Sequence, residues 1–114
     1  MASIPLEVTP LQVKDLLETS TSTGAIVRLI DIREPHEHAI CHIEGAQLIP
    51  MQSIPGHLNE LDGDDETLVV FCHHGVRSLS VVDWLRRHGV ENCQSMAGGI
   101  DRWSLEIDPA VPRY

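Results

Sequence analysis

Aromatic side chains are scarce in this sequence: Phe71, Trp84, Trp103 and Tyr114 are all of them. A core must therefore be built mainly from Val, Ile and Leu. Basic residues are few as well. Eight Lys and Arg stand against 17 Asp and Glu, a formal net charge of −9. Neither nucleic acid nor an anionic membrane is an expected partner, since both need a basic face. Small anions are also repelled at long range, so any site for one must be made locally. No run approaches the roughly 20 apolar residues of a membrane span. The opening Met1-Ala2-Ser3-Ile4-Pro5 lacks the basic and apolar regions of a signal peptide. The cysteines (Cys41, Cys72, Cys93) are odd in number and have no Cys-x-x-Cys spacing, which indicates neither a disulfide framework nor a zinc ribbon. A reducing cytoplasm is the expected setting, with one cysteine available as a reactive thiol.

What is present suits one domain over residues 1–114: 42% apolar, 22% charged, with no repeat, low-complexity tract or long linker. Thr9-Pro10-Leu11-Gln12 reads as a capped helix start, with Thr9 and Gln12 as a capping box and Pro10 in the first turn. Val13, Leu16 and Leu17 continue at helical spacing, and residues 20–24 end the element. Ile26–Asp31 is a mostly apolar run, read as a buried strand. Residues 46–49 form a weaker one, closed by Pro50. Residues 52–61 carry Ile54, Leu58 and Leu61 at helical spacing, weakened at the start by Pro55-Gly56. Residues 62–66 make an acidic turn, and residues 67–71 are the clearest strand. Residues 78–88 are the clearest helix, with Val81, Val82 and Leu85 inward, basic residues at its negative end and Gly89 after it. Cys93–Met96 reads as a last strand, then a short helix through Trp103, then an irregular tail. Apolar strands alternating with helices imply an α/β fold whose parallel sheet has helices on both faces. Ligands in such sheets sit at the carboxyl ends of the strands, and Cys72 is at one.

The segment Val69-Val70-Phe71-Cys72-His73-His74-Gly75-Val76-Arg77-Ser78 carries the chemistry. A buried strand delivers a cysteine into a short glycine-containing loop that runs directly into a helix. Inward-pointing amides and the helix N-terminus favour the thiolate, which is the nucleophile. The same cradle suits the anionic outer sulfur of a persulfide or the sulfonate end of thiosulfate. Gly75 permits a turn other residues resist, and Arg77 adds a fixed positive charge. Taken alone, Cys72 reads more readily as a buried structural thiol. The loop around it tips the balance.

The chain resembles the rhodanese homology domain along nearly its whole length. Leu29-Ile30-Asp31-Ile32-Arg33-Glu34-Pro35-His36-Glu37-His38, followed by His42-Ile43-Glu44-Gly45-Ala46, looks like the family's upstream signature. Cys72 to Ser78 is similar to its active-site loop, and Ala97-Gly98-Gly99-Ile100-Asp101-Arg102-Trp103 to its closing signature. One departure is Cys41, where the family usually has Gly. The resemblance implies a three-layer fold with a five-stranded parallel sheet flanked by helices. It implies Cys72 as the sulfur carrier, with the amides of His73, His74, Gly75, Val76, Arg77 and Ser78 forming the substrate cradle. No cofactor is implied.

Asp31 and Arg33 fall on the same sheet edge as Cys72. Direct chemistry is open to them, but the simpler reading is structural: Asp31 bonding loop N–H groups and Arg33 pairing with a carboxylate. Histidines 36, 38, 42, 73 and 74 invite a metal reading with Cys41 and Cys72, but their spacing matches no zinc pattern, and no metal site is expected. Cys41 and Cys93 read as buried or inert, with Cys41 a resolving thiol if the fold brings it near Cys72. Trp103 is expected to pack the last helix onto the sheet.

The expected activity is sulfur transfer from thiosulfate or a persulfide to a thiol, cyanide or protein, through a Cys72 persulfide. Two alternatives stand beside it. One is a non-catalytic rhodanese-like binding module, although Cys72, Gly75 and Arg77 are all kept. The other is a dual-specificity-type phosphatase, whose similar loop is one residue longer than the six from Cys72 to Arg77. The tail from Trp103 to Tyr114 looks like the end of rhodanese domains fused behind adenylating enzymes of molybdopterin and thiamine biosynthesis. Those pass sulfur to a small carrier protein, so a sulfur-carrier acceptor is a further expectation.

Overall fold

A computed structural model describes residues 4–61 and 66–114. Among the described residues, β1 (Glu7–Val8), β2 (Ile26–Asp31), β3 (Gln47–Leu48), β4 (Glu66–Phe71) and β5 (Cys93–Met96) form one parallel sheet in the order β1-β5-β4-β2-β3. The helices are α1 (Pro10–Thr23), α2 (Pro35–Ile40), α3 (Leu58–Leu61), α4 (Val76–Arg87) and α5 (Gly99–Glu106), with a 3-10 helix, Met51–His57, leading into α3. The parallel α/β sheet expected from the pattern, with the five strands that the family resemblance implies, is the one the chain adopts.

Why the strands read as continuous apolar runs is visible in β4. Leu68, Val70 and then Cys72 face one core cluster with Val81, Val82 and Leu85 of α4. Val69 and Phe71 face a second cluster with Val13 of α1 and Ile100 and Trp103 of α5. Side chains alternate across a strand, so covering both faces requires every position to be apolar. Register follows from the same burial: β2 and β4 pair from Ile26↔Glu66 to Asp31↔Phe71, which brings their carboxyl ends level.

Local signals place the helices. Gln12 N–H donates to Thr9 Oγ1 (3.2 Å), while Thr9 N–H donates to Gln12 Oε1 (2.9 Å), the reciprocal box expected at α1. Several boundaries differ from the sequence reading. Residues 52–61 are not one α-helix: Pro55 has no N–H to give, and the chain winds as a 3-10 helix before α3. α4 begins two residues earlier than expected, and α5 extends to Glu106. α2 and β1 were not foreseen, being too short to show a period. Of the acidic turn at residues 62–66, only Glu66 is described, and it opens β4.

Candidate active site

β4 ends at the carboxyl edge of the sheet, and the next residue, Cys72, is only 1% exposed. The chain then turns through His73 and His74 into α4. That turn requires Gly75: its φ is 96°, and an added Cβ would lie 3.0 Å from Gly98 N. The turn aims amides at the sulfur. Gly75 N–H donates to Cys72 Sγ at 3.1 Å and Ser78 N–H at 3.4 Å. Ser78 Oγ lies 3.5 Å from Sγ and 2.7 Å from Ser95 Oγ on β5. Two amides and a hydroxyl converge on one sulfur at the N-terminus of α4, whose dipole adds partial positive charge. The arrangement suits negative charge on that sulfur.

α5 holds the loop from behind. Ile100 N–H donates to Cys72 O (2.9 Å) and Asp101 N–H to His73 O (3.1 Å). Gly99 makes this approach possible: its φ is 61°, and a Cβ there would fall no more than 2.5 Å from the carbonyl oxygens of Cys72 and His73.

A polar network borders the loop. Arg33, 0% exposed, donates to both Asp31 oxygens (2.9 and 2.7 Å), to Cys41 O (2.7 Å) and to the Tyr114 hydroxyl (2.9 Å). Tyr114 Oη donates to Glu37 Oε1 (3.0 Å), and Arg77 donates to both Glu37 oxygens (2.9 and 3.0 Å). The Arg77 hydrogen bonds outweigh burial and hold the Glu37 carboxyl down at about 2. Burial pushes the Tyr114 phenol up to about 12, against the pull of Arg33. The Tyr114 ring stacks on His73, centroids 3.8 Å apart, and His73 stacks on His74 at 3.9 Å. Burial, with His74 adjacent, holds the His73 imidazole below its ordinary range.

Cys72, Gly75 and Ser78 therefore meet at the sulfur. His74 and Val76 are exposed on the outer side of the loop. Arg77 is at the rim, but its charge is already matched by Glu37. Asp31 and Arg33 pair with each other: Asp31 accepts from the Arg33 amide and side chain rather than from the Cys72 loop. Cys41 is buried in a different core cluster from Cys72. Its φ of −161° is extended backbone, so the usual glycine is not needed there. Trp103 packs α5 onto the sheet as expected. Among the histidines, His38 stacks on His42, whereas His73 and His74 gather beside Asp101.

Four residues of the site were not singled out from sequence: Glu37, Ser95, Asp101 and Tyr114. Glu37 and Asp101 lie within the quoted motifs. Ser95 shows as a hydroxyl in an otherwise buried strand. Nothing in the sequence marks Tyr114 except that it is the single tyrosine.

A cysteine cradled by amides between a parallel strand and a helix defines a class of α/β protein with a thiol at the carboxyl edge of the sheet. Residues 9–106 match the rhodanese-like domain, and the chain belongs to that family. It is 38% identical over 107 residues to the thiosulfate sulfurtransferase GlpE of Haemophilus influenzae, covering 91% of this chain and 95% of that one. It is 34% identical over 112 residues to the probable adenylyltransferase/sulfurtransferase MoeZ of Mycobacterium tuberculosis, covering 94% of this chain and 26% of MoeZ. Several of the curated relatives that it matches are multidomain proteins of which it spans less than a third. The crystal structure of SSP1007 from Staphylococcus saprophyticus superposes with a TM-score of 0.73 at 34% identity, covering 99% of this chain and 100% of that one.

Proposed function

We propose that the protein is a sulfurtransferase that carries sulfane sulfur on Cys72. The observation that carries the reading is the convergence of the Gly75 and Ser78 amides on Cys72 Sγ. In the first half-reaction the Cys72 thiolate bonds the outer sulfur of thiosulfate. The S–S bond within thiosulfate breaks, and sulfite leaves with its electron pair. In the second, a nucleophilic acceptor attacks the outer persulfide sulfur and Cys72 thiolate returns; cyanide gives thiocyanate, and a thiol gives a new persulfide. This is covalent, two-stage catalysis. The N–H groups of Gly75 and Ser78 point at Cys72 Sγ and stabilise the charge that sits there before attack and returns there when the sulfur has been passed on.

Thiosulfate as donor is supported by the likeness to proteins named thiosulfate sulfurtransferase. A protein acceptor of the sulfur-carrier kind is supported by the likeness to relatives named adenylyltransferase and sulfurtransferase. A reducing compartment such as the cytoplasm fits three free thiols. Among the described residues no helix is long and apolar enough to cross a membrane.

The test is peptide mass spectrometry after incubation with thiosulfate. One sulfur atom is expected on the Cys72 peptide, removable by reductant, and Cys72→Ser is expected to fold normally and turn over nothing. Label found mainly on Cys41 or Cys93, or activity retained by Cys72→Ser, overturns the mechanism.

A further inference from the structure

We propose that His73, His74 and Asp101 form a binding site for a divalent transition ion of the zinc, cobalt or nickel kind at the rim of the Cys72 loop. One ligand atom from each of the three lies within 4.8 Å of the others. His74 Nε2 is 4.0 Å from Asp101 Oδ2, and the two imidazoles are stacked, so their edges are presented side by side.

A second observation points to a ligand. His73 Nε2 is buried and has no hydrogen-bond partner among the described residues. Buried ring nitrogens are ordinarily paired, because an unmet one loses its hydration with nothing in return. The backbone supports the triad as well. Asp101 N–H donates to His73 O (3.1 Å), which ties the first turn of α5 to the loop and fixes two of the three residues relative to each other. His74, with a side chain 62% exposed, is free to close the remaining distance. Ligand atoms about 3.4 Å apart would satisfy tetrahedral bonds of about 2.0–2.1 Å, leaving a fourth position to water or an anion. Two imidazoles and a carboxylate suit zinc, cobalt and nickel better than magnesium or calcium.

Arg113 now pairs with Asp101 through bonds of 2.8 and 3.3 Å, and its side chain is 55% exposed. It occupies the carboxylate as a cation that a metal ion would displace. An ion here adds positive charge beside a loop whose own arginine is neutralised by Glu37.

The experiment is isothermal titration of the full chain with Zn²⁺ and Ni²⁺, in a Cys72→Ser background. That background removes the competing thiolate and makes the outcome independent of the sulfur chemistry. One site is expected. His74→Ala and Asp101→Asn should each weaken it at least tenfold, Arg113→Ala should tighten it, and the paired His38→Ala, His42→Ala variant should leave it unchanged. Circular dichroism of each variant checks the fold. No binding by the Cys72→Ser protein, or binding that survives His74→Ala and Asp101→Asn but falls with His38→Ala and His42→Ala, overturns the proposal.

Discussion

At Arg77 the guanidinium meets Glu37 in two hydrogen bonds, so the cation nearest the loop is half of a neutral pair. The sequence pattern presented Arg77 as the anion's partner, and its position does put it at the rim. What the pattern did not carry was Glu37, forty residues upstream and brought close only by α2. The consequence is a pair of opposite effects. Glu37→Gln leaves Arg77 with an unmatched charge and is expected to lower the KM for thiosulfate several-fold. Arg77→Ala leaves a mostly buried carboxylate without its charged partner; it should raise that KM and cost about 1–2 kcal/mol of stability, discounted because Arg77 is partly exposed. Steady-state kinetics with thiosulfate and with an uncharged donor separate the two variants. Equal changes of KM in both would mean that charge at this point does not reach the donor.

Elements were legible where length allowed a period to show. β2, β4 and α4 were read within two residues, and the box at Thr9 and Gln12 marked the start of α1. Short pieces were not: α2 has six residues, although Pro35 in its first turn and the paired Glu34 and Glu37 are start signals in hindsight. The strand–cysteine–glycine–helix unit was legible because each part is local in sequence. Ser95, Glu37 and Tyr114 were not, because they reach the site only through tertiary packing. The contact between α5 and the loop belongs to the same class, and it gives the next expectation. Gly99→Ala drives a Cβ into two backbone carbonyls that have no room to retreat. It should lower the melting temperature by several degrees, consistent with strain of about 1–3 kcal/mol. Sulfur transfer measured well below that melting point should also fall, because the loop carbonyls lose their anchors at Ile100 and Asp101. A variant that melts and turns over like the parent would show that α5 does not hold the loop in shape.

Over the whole molecule, the charge of −9 sets how a dianionic donor arrives. Like charges repel over a Debye length of about 10 Å at 0.1 M salt, so added salt screens the repulsion. The kcat/KM for thiosulfate should therefore rise between low and physiological ionic strength, while an uncharged donor shows little change. A fall with salt would mean that a local positive field governs encounter. Tyr114 lies in this same region: it bridges Arg33 and Glu37 and lies flat against His73, the residue after Cys72. Because the sequence has a single tyrosine, growth on fluorotyrosine installs one fluorine nucleus and no other. That nucleus sits in ring contact with the neighbour of the reactive sulfur, so the protein comes with a built-in magnetic-resonance reporter that follows the state of its cysteine without touching it.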